Sequence, residues 1–423
     1  MFKRILTLTA AVALTLSLSA CAFLQPGTQN PGKPGAQETP APSPTPRPTL
    51  TPLPEEAAGY AYHQLTETEQ QLYALLYDGA VNWAESVEVP EDLGLLPNEG
   101  YRVMDCVLAD HPEIFWQGGS YRAKKTAAEP GILVEFIFKY AIDRPTAEKW
   151  QAEIDIEVNR FLAEIESIPN EYERALAAHS WLTRNAAYAQ DVADRYMENE
   201  DFQPEESREL AMYSSIYGAI VKKNAICSGF AHAFQYLCGK MGFVCTYVSV
   251  DVEGVGHAVN LLQLEGRATF VDVTYDVTDD MWHDGTSIQK TEHFGLNDEL
   301  FERLYDLRCT FTLPLCPGLE LHAISRGYGY FPGEYDSFKD SLATRLREGL
   351  RGDVKQVTVQ IADPEQYNVV IERFVEGGEA YEMLNREATA MGLKYEGELR
   401  VSYSPEDPLC VIKFYFGDIR AGA

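Results

Sequence analysis

The chain has 423 residues, 45% of them hydrophobic and 11% aromatic, with 35 Lys and Arg against 64 Asp and Glu for a formal net charge of −29. That acidic balance argues against nucleic acid and anionic surfaces as partners, while the apolar content is ordinary for a globular protein. Charge does not choose the substrate.

Met1 to Ala20 reads as a targeting segment: Lys3 and Arg4 form a charged start, Ile5 to Leu18 is apolar but short for a bilayer, and small residues lead to Cys21. Leu18-Ser19-Ala20-Cys21 resembles the bacterial lipobox. The resemblance implies cleavage before Cys21, lipid on its thiol, and a protein tethered outside the cytoplasmic membrane. Removing residues 1–20 takes Lys3 and Arg4 from the 35 basic residues, leaving 33 against 64 acidic ones, or −31. Residues 21–56 are dense in proline from Pro26 to Pro54 and cannot bury a core, so they read as a semi-rigid spacer of about 3.1 Å per residue. No later run is apolar and long enough for a membrane-spanning helix.

About 365 residues follow, more than a single core usually serves. Residues 57–168 read as an accessory α+β layer. Leu65 to Trp83 is a helix with Leu72, Leu75, Leu76 and Ala80 on one side, Ile132 to Tyr140 a strand, and Ala147 to Ile165 a helix opened by Pro145-Thr146. His111 precedes Pro112 and reads as part of a turn anchored by Phe115 and Trp116.

Residues 169–331 carry the chemistry. A helix over 170–185 is followed by an acidic run, including Asp191, Asp194, Glu198 and Glu206, that reads as a solvated loop near enough to rim a cleft. Leu210 to Lys223 leads into the next segment, and its Tyr217 serves either as a hydrogen-bond donor in a site or as packing. Ser228-Gly229 permits a tight turn after Ala225-Ile226, and Phe230, Phe234, Leu237 and Met241 recur at helical spacing before Gly242. Cys227 therefore starts a helix, where unpaired N–H groups and the helix dipole favour a thiolate over a thiol.

His257 to Leu264 and Arg267 to Val273 read as two strands joined by a Glu265-Gly266 turn. Pairing Leu264 with Arg267 and counting outward pairs Val259 with Asp272. His257 and Asp272 then lie diagonally on one face, about 7 Å apart at Cα. Asp272 is expected to accept the Nδ1 proton of His257 and leave Nε2 facing the thiol. His232 faces away from Cys227 and is no rival base, and His283 and His293 are given no chemistry. The second donor of an oxyanion hole, besides the Cys227 N–H, is not named by the pattern.

Residues 332–423 read as a small α+β module. Phe338, Leu342, Leu346 and Leu350 mark a helix, Val354 to Ile361 a strand, Pro364 to Glu376 and Glu379 to Met391 two helices, and Glu398 to Tyr403 with Cys410 to Phe416 a strand pair. There is neither Cys-x-x-Cys nor His-Glu-x-x-His, so no metal or cofactor is expected. Of the eight cysteines, Cys309 and Cys316 are the nearest pair for a disulfide, and spacing does not reveal connectivity.

Ala225-Ile226-Cys227-Ser228-Gly229-Phe230-Ala231, Gly256-His257-Ala258-Val259-Asn260 and Val271-Asp272-Val273-Thr274-Tyr275-Asp276 together resemble the bacterial transglutaminase-like family. The flanks His179 to Tyr188 and Ser215 to Val221 extend the likeness to about residues 170–330. The resemblance implies an α+β, papain-like transglutaminase core, with the nucleophile's helix packed on an antiparallel sheet. It also implies a cysteine enzyme that transfers acyl groups, with Cys227 as nucleophile, His257 as base and Asp272 as orienter. Val259 and Tyr275 stand where the family commonly has Trp, which bears on the pocket wall and substrate choice. The expected substrate is a protein or peptide, with cell-wall material among the options. Amide hydrolysis leads, protein-glutamine transamidation comes second, and a binding scaffold that no longer turns over is the rival of another class.

Overall fold

Local capping sets where the chain's first elements begin. In the computed structural model, which describes residues 53–421 apart from 119, 129, 199–203, 278–289, 352–355, 396–398 and 417–418, Thr66 opens the helix Glu67–Val81 with a reciprocal capping box to Glu69. The leader, Cys21, His283 and nearly all of the proline-rich tract lie outside the described residues. The described residues belong to one compact unit. Glu67–Val81 buries Leu72, Tyr73, Leu76 and Ala80 and packs on a second helix, Pro97–Asp110, which propensity alone had not marked. Beside them Leu133–Lys139 is the middle strand of an antiparallel sheet flanked by Ser86–Glu88 and Ser120–Lys125. The next helix, Arg144–Ile165, starts earlier than Ala147 because Asp143 caps it, accepting from the Thr146 N–H at 2.8 Å.

Helix Glu171–Asn185, capped by Asn170, leads into the central region. The acidic run after it is helical in part, as Gln190–Glu198 and Pro204–Tyr213, where a loop was expected. Ala189, Val192 and Ala193 form a small apolar stripe that buries against Ile226, and Arg195 pairs with Glu209 at 2.9 Å to tie the two helices together. The surrounding carboxylates hide that stripe from a reading based on charge.

The helix Cys227–Lys240 begins at the expected residue and buries Phe230, Phe234 and Leu237. A Cβ on Gly229 would lie 2.4 Å from the Tyr213 carbonyl oxygen, so only glycine lets the preceding segment cross the helix start this closely. The helix packs on a five-stranded antiparallel sheet, in the order Asp306–Leu307, Val244–Val252, Val255–Leu264, Arg267–Val271, Phe294–Leu296. Buried Asn260 fixes the two layers to each other, donating to the Ala231 carbonyl at 3.0 Å.

Farther along, Tyr335–Arg351 buries Phe338, Leu342, Leu346 and Leu350. The strands Gln356–Ile361, Val411–Phe416 and Leu399–Ser402 follow one another in a third sheet with Tyr330–Phe331 at its edge. The helix begun at Pro364 changes to π geometry over Ile371–Glu376, and Glu379–Ala390 is the helix after it. The protein is thus a mixed helix and sheet structure built mainly from antiparallel strand pairs. No helix among the described residues is long and apolar enough to cross a membrane.

Candidate active site

Cys227 occupies the first turn of its helix and is half-buried. Backbone N–H groups there have no intrahelical acceptor, which makes the helix start a favourable place for negative charge. The hairpin that faces it turns through Glu265 (φ 51°) and Gly266 (φ 73°), both left-handed, as a tight two-residue hairpin turn requires. Leu264 pairs with Arg267 and Asn260 with Val271, and continuing this register sets Asp272 opposite Val259, diagonal to His257. His257 Nε2 lies 2.6 Å from Asp272 Oδ2. This reverses the nitrogen expected from the sequence. Across a diagonal pair the ring must reach with its far edge, so Nε2 meets the carboxylate and Nδ1 is left for the thiol.

Burial opposes a charged His257, yet the Asp272 carboxylate and its hydrogen bond outweigh it, with a further contribution from contact with Cys227. The imidazole pKa is held at about 10. Asp272 is fully buried, which by itself would favour the neutral acid, but the His257 charge holds its carboxyl below the usual range. Four donors complete the carboxylate. Oδ1 accepts from the N–H groups of Thr274 (2.8 Å) and Tyr275 (3.2 Å), and Oδ2 accepts from His257 and from the Tyr305 hydroxyl at 2.8 Å.

Three tyrosines border the thiol. Burial raises the phenols of Tyr188, Tyr247 and Tyr275, and a negative Cys227 opposes their ionisation further, with Asp272 the larger charge at Tyr275, so all three stay protonated near it. Tyr188 comes into range because the strand Ala187–Tyr188 pairs in parallel with Asn224–Ala225, just ahead of the cysteine. The Tyr275 ring stacks on His257 with centroids 5.0 Å apart.

Comparison with solved structures finds partial likenesses. A TGase crystal structure matches at a TM-score of 0.27 and 13% identity, covering 38% of this chain and 46% of that one. A protein described as a candidate cysteine protease from Cytophaga hutchinsonii matches at 0.21 and 13%, covering 37% and 62%. A candidate protease from Parabacteroides distasonis matches at 0.21 and 9%, covering 41% of each chain. This chain thus spans less than two thirds of each neighbour's length, and overlaps of this size carry no argument about reaction. No family model matches the sequence, and no curated protein matches it.

Two residues expected near the site are engaged elsewhere. Tyr217 donates to Glu153 Oε2 at 2.6 Å and stacks on Trp150 at 4.2 Å, which answers the choice between donor and packing in favour of packing. Val259 is buried in the cluster of Val248, Phe270 and Tyr305, a core position in place of a pocket wall. His111 follows the helix Pro97–Asp110, with its ring nitrogens 2.8 Å from Glu113 Oε1 and 3.1 Å from the Ala57 carbonyl, so its own ring helps anchor the turn that was read as held by Phe115 and Trp116. His232 stacks on Tyr247, and burial pushes its pKa down to about 4, so it stays neutral. All seven cysteines among the described residues are free thiols, and Cys309 and Cys316 each point to a separate backbone carbonyl. A separate cleft of about 830 Å³, between Trp83, Glu113, Arg144 and Lys240, lies apart from Cys227, His257 and Asp272.

Behind Asp272 lies a second buried polar cluster that the sequence reading did not assemble. Asp276 sits 3.0 Å from His179 Nε2 and 2.9 Å from His293 Nδ1, and the His293 carbonyl accepts the Asp272 N–H at 3.0 Å. The Asp276 charge raises the His293 pKa against the opposing effect of burial. Asp276, Glu292 and His293 present donor atoms within 4.8 Å of one another, as a metal would need. Their charge, however, is already met: His179 and His293 face Asp276, and Lys413 contacts buried Glu292. The spacing of Asp272 and Asp276 in Val271-Asp272-Val273-Thr274-Tyr275-Asp276 was the available signal for this cluster. Tyr305 had no local signal at all.

Proposed function

We propose that this chain is a transglutaminase-like cysteine enzyme that transfers acyl groups through a thioester on Cys227, with hydrolysis of a peptide or isopeptide amide as its outcome. The observation that carries this reading is the 2.6 Å bond between a buried Asp272 and a His257 whose ring is held protonated beside Cys227 at a helix start. The Cys227 sulfur attacks the amide carbonyl carbon, and the oxyanion that forms is met by the Cys227 backbone N–H. As the tetrahedral intermediate collapses, the C–N bond breaks and the His257 imidazolium gives its proton to the departing amine. The ring, now neutral, takes a proton from water, whose oxygen attacks the thioester and frees the acid and the Cys227 thiolate beside a re-formed imidazolium. Asp272 fixes the ring's tautomer throughout. The papain-like arrangement of the 169–331 region, and anchoring outside the membrane through lipid on Cys21, belong to the same proposal. Cys21→Ser then releases the protein from membranes, and a wild type already free in the medium refutes the anchor.

Iodoacetamide labelling of the folded chain at neutral pH, read by peptide mass spectrometry, tests the central step. Cys227 is expected to label well ahead of the equally half-buried Cys245 and Cys309 as well as of buried Cys106 and Cys410, and a rate equal to that of Cys245 and Cys309 would leave a binding scaffold as the better account. With a peptide library and a labelled primary amine present together, cleaved peptide supports hydrolysis. Amine incorporated at glutamine would convert the reading to transamidation.

A further inference from the structure

Asp272 does more than face His257, because the oxygen that binds the imidazole also accepts a second hydrogen bond. That bond comes from Tyr305, which lies 33 residues away in sequence and reaches Oδ2 at 2.8 Å. Tyr305 is buried, follows the helix Asp298–Glu302 with its N–H bonded to the Phe301 carbonyl at 3.0 Å, and packs its ring against that of Phe301 with centroids 5.1 Å apart. The same ring lies nearly parallel to the His257 imidazole, 10° between planes and 6.0 Å between centroids. One residue thus touches both partners of the His–Asp bond.

We propose that Tyr305 is a positioning residue of the acyl-transfer site, whose hydroxyl shares Asp272 Oδ2 with His257 and sets how firmly the carboxylate holds the imidazolium proton. The inference rests on the reading of the site given under the proposed function and extends it to a residue outside the Cys-His-Asp set. Oδ1 is engaged by two backbone N–H groups, which fix the carboxylate's rotation but do not meet the ring's oxygen. A donor on Oδ2 draws negative charge away from the bond to Nε2, weakening the carboxylate's hold on the charged ring. A ring held too firmly protonates a leaving amine poorly, so a shared oxygen keeps the proton available for transfer. Burial and the neighbouring Asp272 charge keep the phenol protonated, so the hydroxyl stays a donor.

The test reads the His257 titration in the full-length chain by NMR of labelled histidine, alongside the alkylation rate of Cys227 over the same pH range. Tyr305→Phe keeps the ring and its packing and removes the donor, and the His257 midpoint is expected to rise by about half a unit to one unit. Placing 3,5-difluorotyrosine at position 305 makes the hydroxyl a stronger donor, and the midpoint is expected to fall. That second substitution decides the matter if the Phe variant does not fold. A midpoint unmoved in both overturns the proposal, because a residue that only packs against the ring would leave the titration unchanged. The NMR readout does not depend on thiol reactivity: slow labelling of Cys227 refutes the enzyme reading, whereas an unmoved His257 midpoint refutes the role of Tyr305.

Discussion

Asp272→Asn separates the electrostatic role of this carboxylate from its structural one. Asparagine keeps the shape, and its carbonyl oxygen can still accept from the N–H groups of Thr274 and Tyr275, so the chain after the strand Arg267–Val271 retains its anchor. At the other position an NH₂ replaces the oxygen that now accepts from His257 and Tyr305. The hydroxyl can turn and accept, but His257 must also become an acceptor at Nε2, which puts its proton on Nδ1, toward the thiol. The ring is then the wrong tautomer to take a proton from Cys227. The charge effect adds to this: a pKa of about 10 against the ordinary 6.5 corresponds to on the order of 5 kcal/mol favouring the charged ring, most of it from the carboxylate and the rest from Cys227. Turnover is expected to fall by about 10³ to 10⁴, with Cys227 alkylation slowing toward that of an ordinary exposed thiol. The assay is the iodoacetamide rate at Cys227 by mass spectrometry, with circular dichroism to show an intact fold. Wild-type alkylation in a folded Asp272→Asn protein would refute the reasoning.

The His257–Asp272 pair also predicts a pH window for stability. His257 has a folded pKa above its unfolded value, so its contribution is complete below about 6.5 and is lost as pH rises through about 10. Asp272 is shifted down, so its share is present above about 3.8 and is lost as pH falls through its lower folded value. Thermal melts of wild type and His257→Gln should therefore diverge most between these limits and converge toward high pH, and parallel curves would disprove the linkage. Lys413→Met leaves buried Glu292 without its cation and is expected to cost about 3 to 5 kcal/mol in urea unfolding, an unchanged midpoint counting against it. Tyr217→Phe breaks only the bond to Glu153 and should leave Cys227 labelling at the wild-type rate, so a large loss would return Tyr217 to the site.

The parts of the site that share a local pattern could be read from residues alone. The Glu265-Gly266 turn sets the strand register, the register sets the His257–Asp272 diagonal, and helical spacing after Gly229 sets the Cys227 helix. What failed was finer or more distant. Register says which residues meet but not which edge of an imidazole does, so Nε2 and Nδ1 were exchanged. Acidic residues concealed the apolar stripe of Ala189, Val192 and Ala193, which packs against a residue well along the chain, Ile226. Tyr305 joins Asp272 only through the fold of the intervening strands, and the same is true of His179 with Asp276. Periodicity carries no information about such long-range polar meetings.

Lys413 belongs to the strand Val411–Phe416, yet it reaches Glu292, next to His293, whose carbonyl holds the backbone of Asp272. This makes timing part of the design. A ribosome delivers Cys227, His257 and Asp272 well before it delivers residue 413, so a chain halted after residue 331 lacks the lysine that contacts buried Glu292. The polar surroundings of Cys227, His257 and Asp272 are therefore complete only once the late strand Val411–Phe416 has joined its sheet.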